Sequence, residues 1–308
     1  MPDRNSRSGD SAILQGLIVA SFGRRYRVEV AGVGEFDCVT RGRRADLACG
    51  DRVRIAPSGP AQAVIEEAGA RSSLLYRSDA HREKLIAANV TQVVIVAAAV
   101  PPPHEALVNR CLVAAEHGGI AVVIVLNKAD LPEHAAALDT LKLYRRLGYP
   151  VLTLNAKHDV EPLRPRLHCN VSVLVGQSGA GKSTIINALV PLAAARTGEI
   201  SRVSGRHTTT HAHLYHIDRD SSIIDSPGME VFGLHHVSLD VLPEAFVEFR
   251  PYLGRCRFRD CRHLGEPGCA VEAAVKEAQV SQRRLAVYRV LARERGTAER
   301  SSVQRPRK

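Results

Sequence analysis

The segment Gly176-Gln177-Ser178-Gly179-Ala180-Gly181-Lys182-Ser183, followed by Thr184, constrains this chain more than any other. It fits the pattern G-x-x-x-x-G-K-[ST] and follows the apolar run Val171–Val175, the strand-to-helix context that gives the pattern its meaning. Glycines at such a turn let backbone N–H groups converge on phosphate oxygens without Cβ clashes, and the following helix N-terminus adds a favourable dipole. Lys182 is placed to reach the outer phosphates and the Ser183 hydroxyl to hold Mg²⁺. The flanking sequence agrees. Val93–Ala98, Ala121–Leu126 and Val151–Leu154 are apolar runs of the kind that parallel strands buried on both faces require. Between them lie two helical patterns. One carries Leu107, Cys111 and Ala114 on a single face and ends at Gly118-Gly119; the other opens at Pro132 and stops at Gly148. An α/β domain with a mostly parallel sheet is expected, with its ligand outside the carboxyl ends of the strands.

The phosphate loop does not choose the base. Asn127-Lys128-Ala129-Asp130 does, because it follows a buried strand and matches N-K-x-D. An Asp130 carboxylate can accept from both the N1–H and the 2-amino group of guanine; adenine offers neither donor there, so the carboxylate would stay unpaired against it. Asn127 is expected to contact the base and tie loops together, with the Lys128 stem on the base face. Asn155-Ala156-Lys157 sits where a short loop can offer a backbone N–H to guanine O6. Downstream, Leu214–Ile217 and Ser222–Ile224 read as strands, the second ending in Asp225-Ser226-Pro227-Gly228, a D-x-x-G pattern. Asp225 is expected on Mg²⁺ through water, and the Gly228 N–H near the γ-phosphate. The preceding Gly205-Arg206-His207-Thr208-Thr209-Thr210 reads as a switch loop in which Thr209 or Thr210 reaches Mg²⁺. Met229 stands where many GTPases carry a water-orienting Gln, so His207 is the candidate for that role. The order is unusual, since N-K-x-D precedes the phosphate loop by about fifty residues. The chain therefore reads as a circularly permuted GTPase, because motifs on strand ends around one nucleotide survive such rejoining.

The flanks read differently. From Leu14 to about Ser72 short strands alternate with glycine turns, as in a small closed barrel such as an OB-fold. Arg24, Arg25, Arg41, Arg43 and Arg44 crowd it, and the chain as a whole carries a formal charge of +10, which favours a polyanionic partner. Near the C-terminus Cys256, Cys261, His263 and Cys269 form C-x4-C-x-H-x5-C, a spacing and ligand chemistry that suit one structural, tetrahedral Zn²⁺. Arg255, Arg257, Arg259 and Arg262 lie between the ligands and form a second candidate RNA contact. Two helices are expected around Val271–Gln279 and Ser281–Arg293. No apolar run is long enough for a membrane span, and Met1–Asp10 lacks a signal-peptide core, so a cytoplasmic protein is expected.

Barrel, permuted motifs and Cys/His cluster together resemble the ribosome small-subunit-dependent GTPase A family (RsgA, also YjeQ or YloQ). The resemblance runs from about Gly16 to Tyr288 and is carried by the histidine–threonine loop, Ile224–Gly228 and Cys261–Cys269. It implies a bacterial cytoplasmic GTP phosphohydrolase that binds the 30S subunit and its 16S rRNA, aids late maturation and is stimulated by the ribosome. A monomer is expected. Asn109 departs from the family pattern, which is often acidic there, and Asn155 stands where serine is common. The expected organisation is a disordered N-terminus (1–10), an RNA-binding OB barrel (11–72), the permuted GTPase domain (73–235), an α-helical zinc-binding domain (236–295) and a disordered tail (296–308). Two rival readings are a nucleotide-gated RNA-binding protein in which hydrolysis is incidental, and a permuted GTPase of the large subunit. The barrel and the Cys/His cluster argue against the second.

Overall fold

A computed structural model of the chain describes residues 12–42, 46–79, 82–191, 212–225, 233–234 and 236–303. The first strands are β1 (Leu14–Phe22), β2 (Arg25–Val30), β3 (Gly34–Thr40), β4 (Arg52–Gly59) and β5 (Gln62–Ala68). They pair in the order β1-β2-β3-β5-β4, and β4 pairs back on β1, so the barrel closes. The β3–β5 pair is parallel and the others antiparallel, as an OB-like barrel requires. Alternation along the strands turns Ile18, Tyr26, Val28, Ile55 and Ile65 into the barrel while Arg25 faces water.

A hairpin follows, β6 (Leu74–Asp79) and β7 (Arg82–Ala88), and then the strands of the second sheet. These are β8 (Gln92–Ala98), β9 (Ala121–Asn127), β10 (Val151–Thr153), β11 (Val171–Val175), β12 (His213–His216) and β13 (Ser222–Asp225). Five of them run parallel in the order β10-β9-β8-β11-β13, with β12 antiparallel on β13. Strand β8 is buried along its whole length, because successive residues serve opposite faces. Val93, Ile95 and Ala97 meet α1 (Glu105–His117) and α2 (His134–Arg146). Val94, Val96 and Ala98 meet α3 (Arg164–Leu167) and α4 (Lys182–Leu189). The barrel joins this sheet at its edge: Ala20 of β1 pairs with His213 of β12, and His216 Nε2 lies 2.7 Å from Glu29 Oε2 across the same junction.

The C-terminal unit is built from short turns, α5 (Ala270–Lys276) and α6 (Gln282–Val303). Phe246, Phe249 and Tyr288 pack ring against ring at 5.0–5.3 Å, and they share one core with Leu107, Leu112 and Leu141 of α1 and α2. Contrary to the expected unstructured tail from Gly296, residues 296–303 are helical. Helix α6 continues through Gly296 to Val303, at a glycine cost of about 1 kcal/mol. Arg295 Nε donates to Val237 O at 2.8 Å and Thr297 Oγ1 to Arg293 O at 3.0 Å, so the helix is held on both sides of that glycine. Residues 1–10 and 304–308 lie outside the described residues, as do Arg43, Arg44, His207, Thr209, Thr210 and Gly228. Among the described residues no helix is long and apolar enough to cross a membrane.

Candidate nucleotide site and Cys/His cluster

The carboxyl ends of β8, β9, β10 and β11 converge on the glycine loop. The loop is packed from below: a Cβ on Gly176 would lie 2.2 Å from the Val96 carbonyl oxygen. Gly181 has φ +98°, and a Cβ there would lie 2.2 Å from Asn127 Nδ2. Glycine is thus demanded at Gly181 by conformation and by contact together. Asn127, buried at the end of β9, donates from Nδ2 to Ala180 O at 2.9 Å and accepts at Oδ1 from Ala156 N–H, also at 2.9 Å. One amide therefore ties the glycine loop to the Asn155–Lys157 loop.

The other residues of these loops fall into place around it. Lys128, at φ +60°, donates from Nζ to Val100 O at 2.5 Å. Ala129 N–H donates to Leu154 O at 3.2 Å, and Asp130 is exposed beyond it. Asn155 Oδ1 accepts from Lys157 N–H at 3.2 Å, which closes that loop. Gln177 Nε2 donates to Pro102 O at 3.1 Å, so the loop between β8 and α1 is held from two sides. Ser178, Gly179 and Ser183 are exposed, with Thr184 half-buried behind them in α4.

The charged groups sit at the centre. Lys182 Nζ donates to the carbonyls of Gly176 and Gln177 at 2.6 and 3.0 Å. Asp225 closes β13 in register with Leu174, beside the start of the glycine loop. Burial pushes its carboxyl above the usual carboxylate range, and the Lys182 ammonium pulls it back in part. A glycine loop, an ammonium at its centre and a part-buried carboxyl beside it are the groups suited to a nucleotide phosphate accompanied by a divalent cation.

The second cluster lies in the C-terminal unit. Cys256, Cys261, His263 and Cys269 bring their ligand atoms within 4.8 Å of one another. His263 Nδ1 stands 3.6 Å from Cys256 Sγ, 3.6 Å from Cys261 Sγ and 3.3 Å from Cys269 Sγ. Metal–sulfur and metal–nitrogen bonds of about 2.3 and 2.0 Å at tetrahedral angles give an N···S edge of about 3.5 Å. The cluster therefore can hold a metal ion through all four side chains. Burial pushes the Cys261 thiol up to about 12 and raises Cys269 as well, so metal binding there must displace protons. Ala270 N–H donates to Cys256 Sγ at 3.3 Å, and Glu266 accepts from the N–H groups of Arg262 and Leu264 at 3.0 and 2.7 Å. From α6, the Tyr288 hydroxyl donates to Arg262 O at 2.7 Å.

The arginines proposed for RNA differ in setting. Arg24 and Arg25 are exposed at the β1–β2 turn, and Arg41 meets Glu66 at 3.2 Å. Arg255, Arg257, Arg259 and Arg262 are all exposed on the Cys/His knuckle. Sequence reasoning missed Arg284, which is fully buried and bonds both Glu248 and Asn109. A signal existed: Asn109 is a polar residue inside the apolar stretch of α1, and such a residue needs a partner.

The RsgA GTPase family model matches residues 68–235. Small ribosomal subunit biogenesis GTPase RsgA of Nitrosospira multiformis is 55% identical over 281 residues, covering 90% of each chain. Its namesake from Nitrosomonas europaea is 51% identical over 284 residues, again 90% of each. The chain belongs to the RsgA GTPase family. Solved RsgA-type structures agree. YjeQ from Thermotoga maritima superposes with a TM-score of 0.71 at 28% identity, covering 92% of this chain and 99% of that one. YloQ, a circularly permuted GTPase, gives 0.68 at 27% identity over 98% and 100%. The RsgA assignment makes this chain a GTPase with permuted motif order, an OB-like barrel before it and a Cys/His cluster behind it.

Proposed function

We propose that this GTPase binds the 30S ribosomal subunit through 16S rRNA, assists its late maturation and is stimulated by it to hydrolyse GTP to GDP and phosphate. The observation that carries the reading is identity of 51–55% across most of the chain to relatives named for small-subunit biogenesis. Asp130 reads guanine, with the Lys128 stem against the base and the Ala156 N–H toward O6. Gly176–Thr184 cradle the phosphates. Ser183, Asp225 and one of Thr209 and Thr210 hold Mg²⁺, which neutralises phosphate charge when bound. Hard oxygen donors beside a carboxyl that burial leaves in need of a cation support that choice. His207 orients the attacking water, and the Gly228 N–H senses the γ-phosphate. His207→Ala should retain GTP and lose stimulated turnover; full turnover in that variant excludes the role.

The Cys₃His cluster holds one structural Zn²⁺, because four protein ligands leave no open position. Arg24, Arg25, Arg41, Arg43 and Arg44 on the barrel, with Arg255, Arg257, Arg259 and Arg262 on the knuckle, supply the rRNA contacts. The protein acts as a cytoplasmic monomer. Co-sedimentation of the full chain with purified 30S and 50S subunits, in GDP and in a non-hydrolysable GTP analogue, tests this reading. Pelleting with 30S only, more strongly in the analogue, is expected; equal pelleting with both subunits contradicts it.

A further inference from the structure

Phe258 is the only aromatic among the large hydrophobic side chains exposed in the described residues, at 42%. It lies between the ligands Cys256 and Cys261, so both flanks are tied to the Cys/His cluster. The backbone around it is closed as well. Arg257 N–H donates to Gly268 O at 3.0 Å, and Cys261 N–H to Phe258 O at 3.3 Å. At Gly268 a Cβ would come within 2.8 Å of the Arg257 Cβ, so the two arms of the knuckle touch. A ring held this way neither fills a core nor turns aside easily.

Its surroundings are cationic. The Arg257 guanidinium carbon stands 5.5 Å from the ring centroid, over one face. Arg255, Arg257, Arg259 and Arg262 are exposed, and none forms an ion pair among the described residues. On the barrel, Arg27, Arg41 and Arg54 each meet an acid on a neighbouring strand, Glu35, Glu66 and Glu67. Free guanidinium groups around an exposed ring suit a polyanion whose units carry flat, apolar faces.

We propose that Phe258 is a stacking platform for an unpaired RNA base, with the surrounding arginines gripping the phosphates on either side. This rests on the RNA-binding reading above and adds the chemical class: a single-stranded or extruded nucleotide, not a duplex. In a duplex the base faces are hidden in the stack, and only the groove edges and backbone can be reached. A base sandwiched between Arg257 and Phe258 would need about 7 Å, twice the ~3.4 Å stacking distance. The observed 5.5 Å is too narrow, so the base takes the opposite face of the ring.

The chain contains no Trp, so Phe258→Trp makes a single fluorescent reporter at the platform. The full-length, zinc-loaded variant is titrated with an oligoadenylate of about a dozen nucleotides and, separately, with the same strand in a duplex. Quenching of the indole by the single strand and none by the duplex is expected. In parallel, Phe258→Ala and Phe258→Leu should bind the labelled single strand about fivefold or more weakly, with an unchanged salt slope, because stacking releases no counterions. Arg259→Ala should instead flatten the slope. Equal zinc content in all variants shows that the knuckle is intact. If the wild-type chain binds the single strand but the Phe258 variants bind it equally and the indole is silent, the platform is wrong and the RNA reading stands. If the wild-type chain binds no RNA, both fall. If Phe258→Ala weakens only 30S binding while the indole stays silent with RNA, the ring meets a ribosomal protein and the proposal is overturned.

Discussion

Asn109 on α1 accepts a hydrogen bond from the guanidinium of Arg284 on α6, and both side chains are buried. The same guanidinium donates to Glu248 at 2.5 and 3.4 Å and lies 4.5 Å over the Phe246 ring. Asn109 passes its own Nδ2 hydrogens to the Tyr144 hydroxyl at 3.0 Å and to Glu105 O at 2.7 Å. At the rim Arg283 pairs with Glu105, Arg110 with Glu294, and Arg250 with Glu116. The C-terminal unit is thus latched to α1. That helix begins just beyond the segment that Lys128 and Gln177 grip beside the nucleotide site.

Breaking this latch should cost far more than any surface change. Arg284→Ala leaves the Glu248 carboxylate buried without its partner, a loss of about 3–5 kcal/mol in denaturant unfolding. Asn109→Leu removes one buried hydrogen-bond partner from each of the Tyr144 hydroxyl and the Arg284 guanidinium, costing about 1–3 kcal/mol. Asn109→Asp keeps the acceptor for Arg284 and should be milder than Asn109→Leu. A Leu variant as stable as the wild type would remove the bond from the account.

Much of the nucleotide-binding fold was legible because its signals are local. Val171–Val175 and the glycines after it state a strand and a phosphate loop without tertiary help, and the continuous apolar run of β8 announces burial on both faces. The β6–β7 hairpin was not legible, since Arg77-Ser78-Asp79 and Arg82-Glu83-Lys84 interrupt the apolar ends of both strands and read as a polar connection. Nor was the latch. Arg283 and Arg284 are adjacent and chemically equal in sequence, and only the packing of α6 on Phe246 and Glu248 decides which is buried. The length of α6 was hidden for a related reason, because Arg295 finds Val237 only in the folded chain.

Base choice should follow Asp130. Asp130→Asn removes the double acceptor for guanine and presents an amide that suits the 2-oxo group of xanthine. GTP affinity should fall at least about a hundredfold, with xanthosine triphosphate gaining. A competition assay in which nucleotide preference is unchanged would exclude Asp130 as the reader.

Asp225 should trade stability against function. Its carboxyl holds a proton more tightly folded than unfolded, so its stabilising contribution is present at low pH and is lost as pH rises through the folded value. Above that value the nucleotide-free protein carries the penalty of a buried carboxylate, offset in part by the Lys182 ammonium. Asp225→Asn should therefore raise the melting temperature of the nucleotide-free protein while lowering GTP turnover by about 10- to 100-fold. A lowered melting temperature together with unchanged turnover would contradict both halves.

Metal should be inseparable from the C-terminal unit. Elemental analysis of chain purified without chelator should give one zinc, and Cys261→Ser should lose it along with helical signal from α5 and α6. Zinc-free protein with full helicity would show that the four side chains need no ion.

We propose that this chain hydrolyses GTP in response to the small ribosomal subunit. The most direct measurement is steady-state phosphate release from GTP by the full chain alone, with purified 30S subunits and with purified 50S subunits. Slow turnover alone, strong stimulation by 30S and none by 50S is the predicted result. Equal stimulation by both subunits, or by neither, would contradict it.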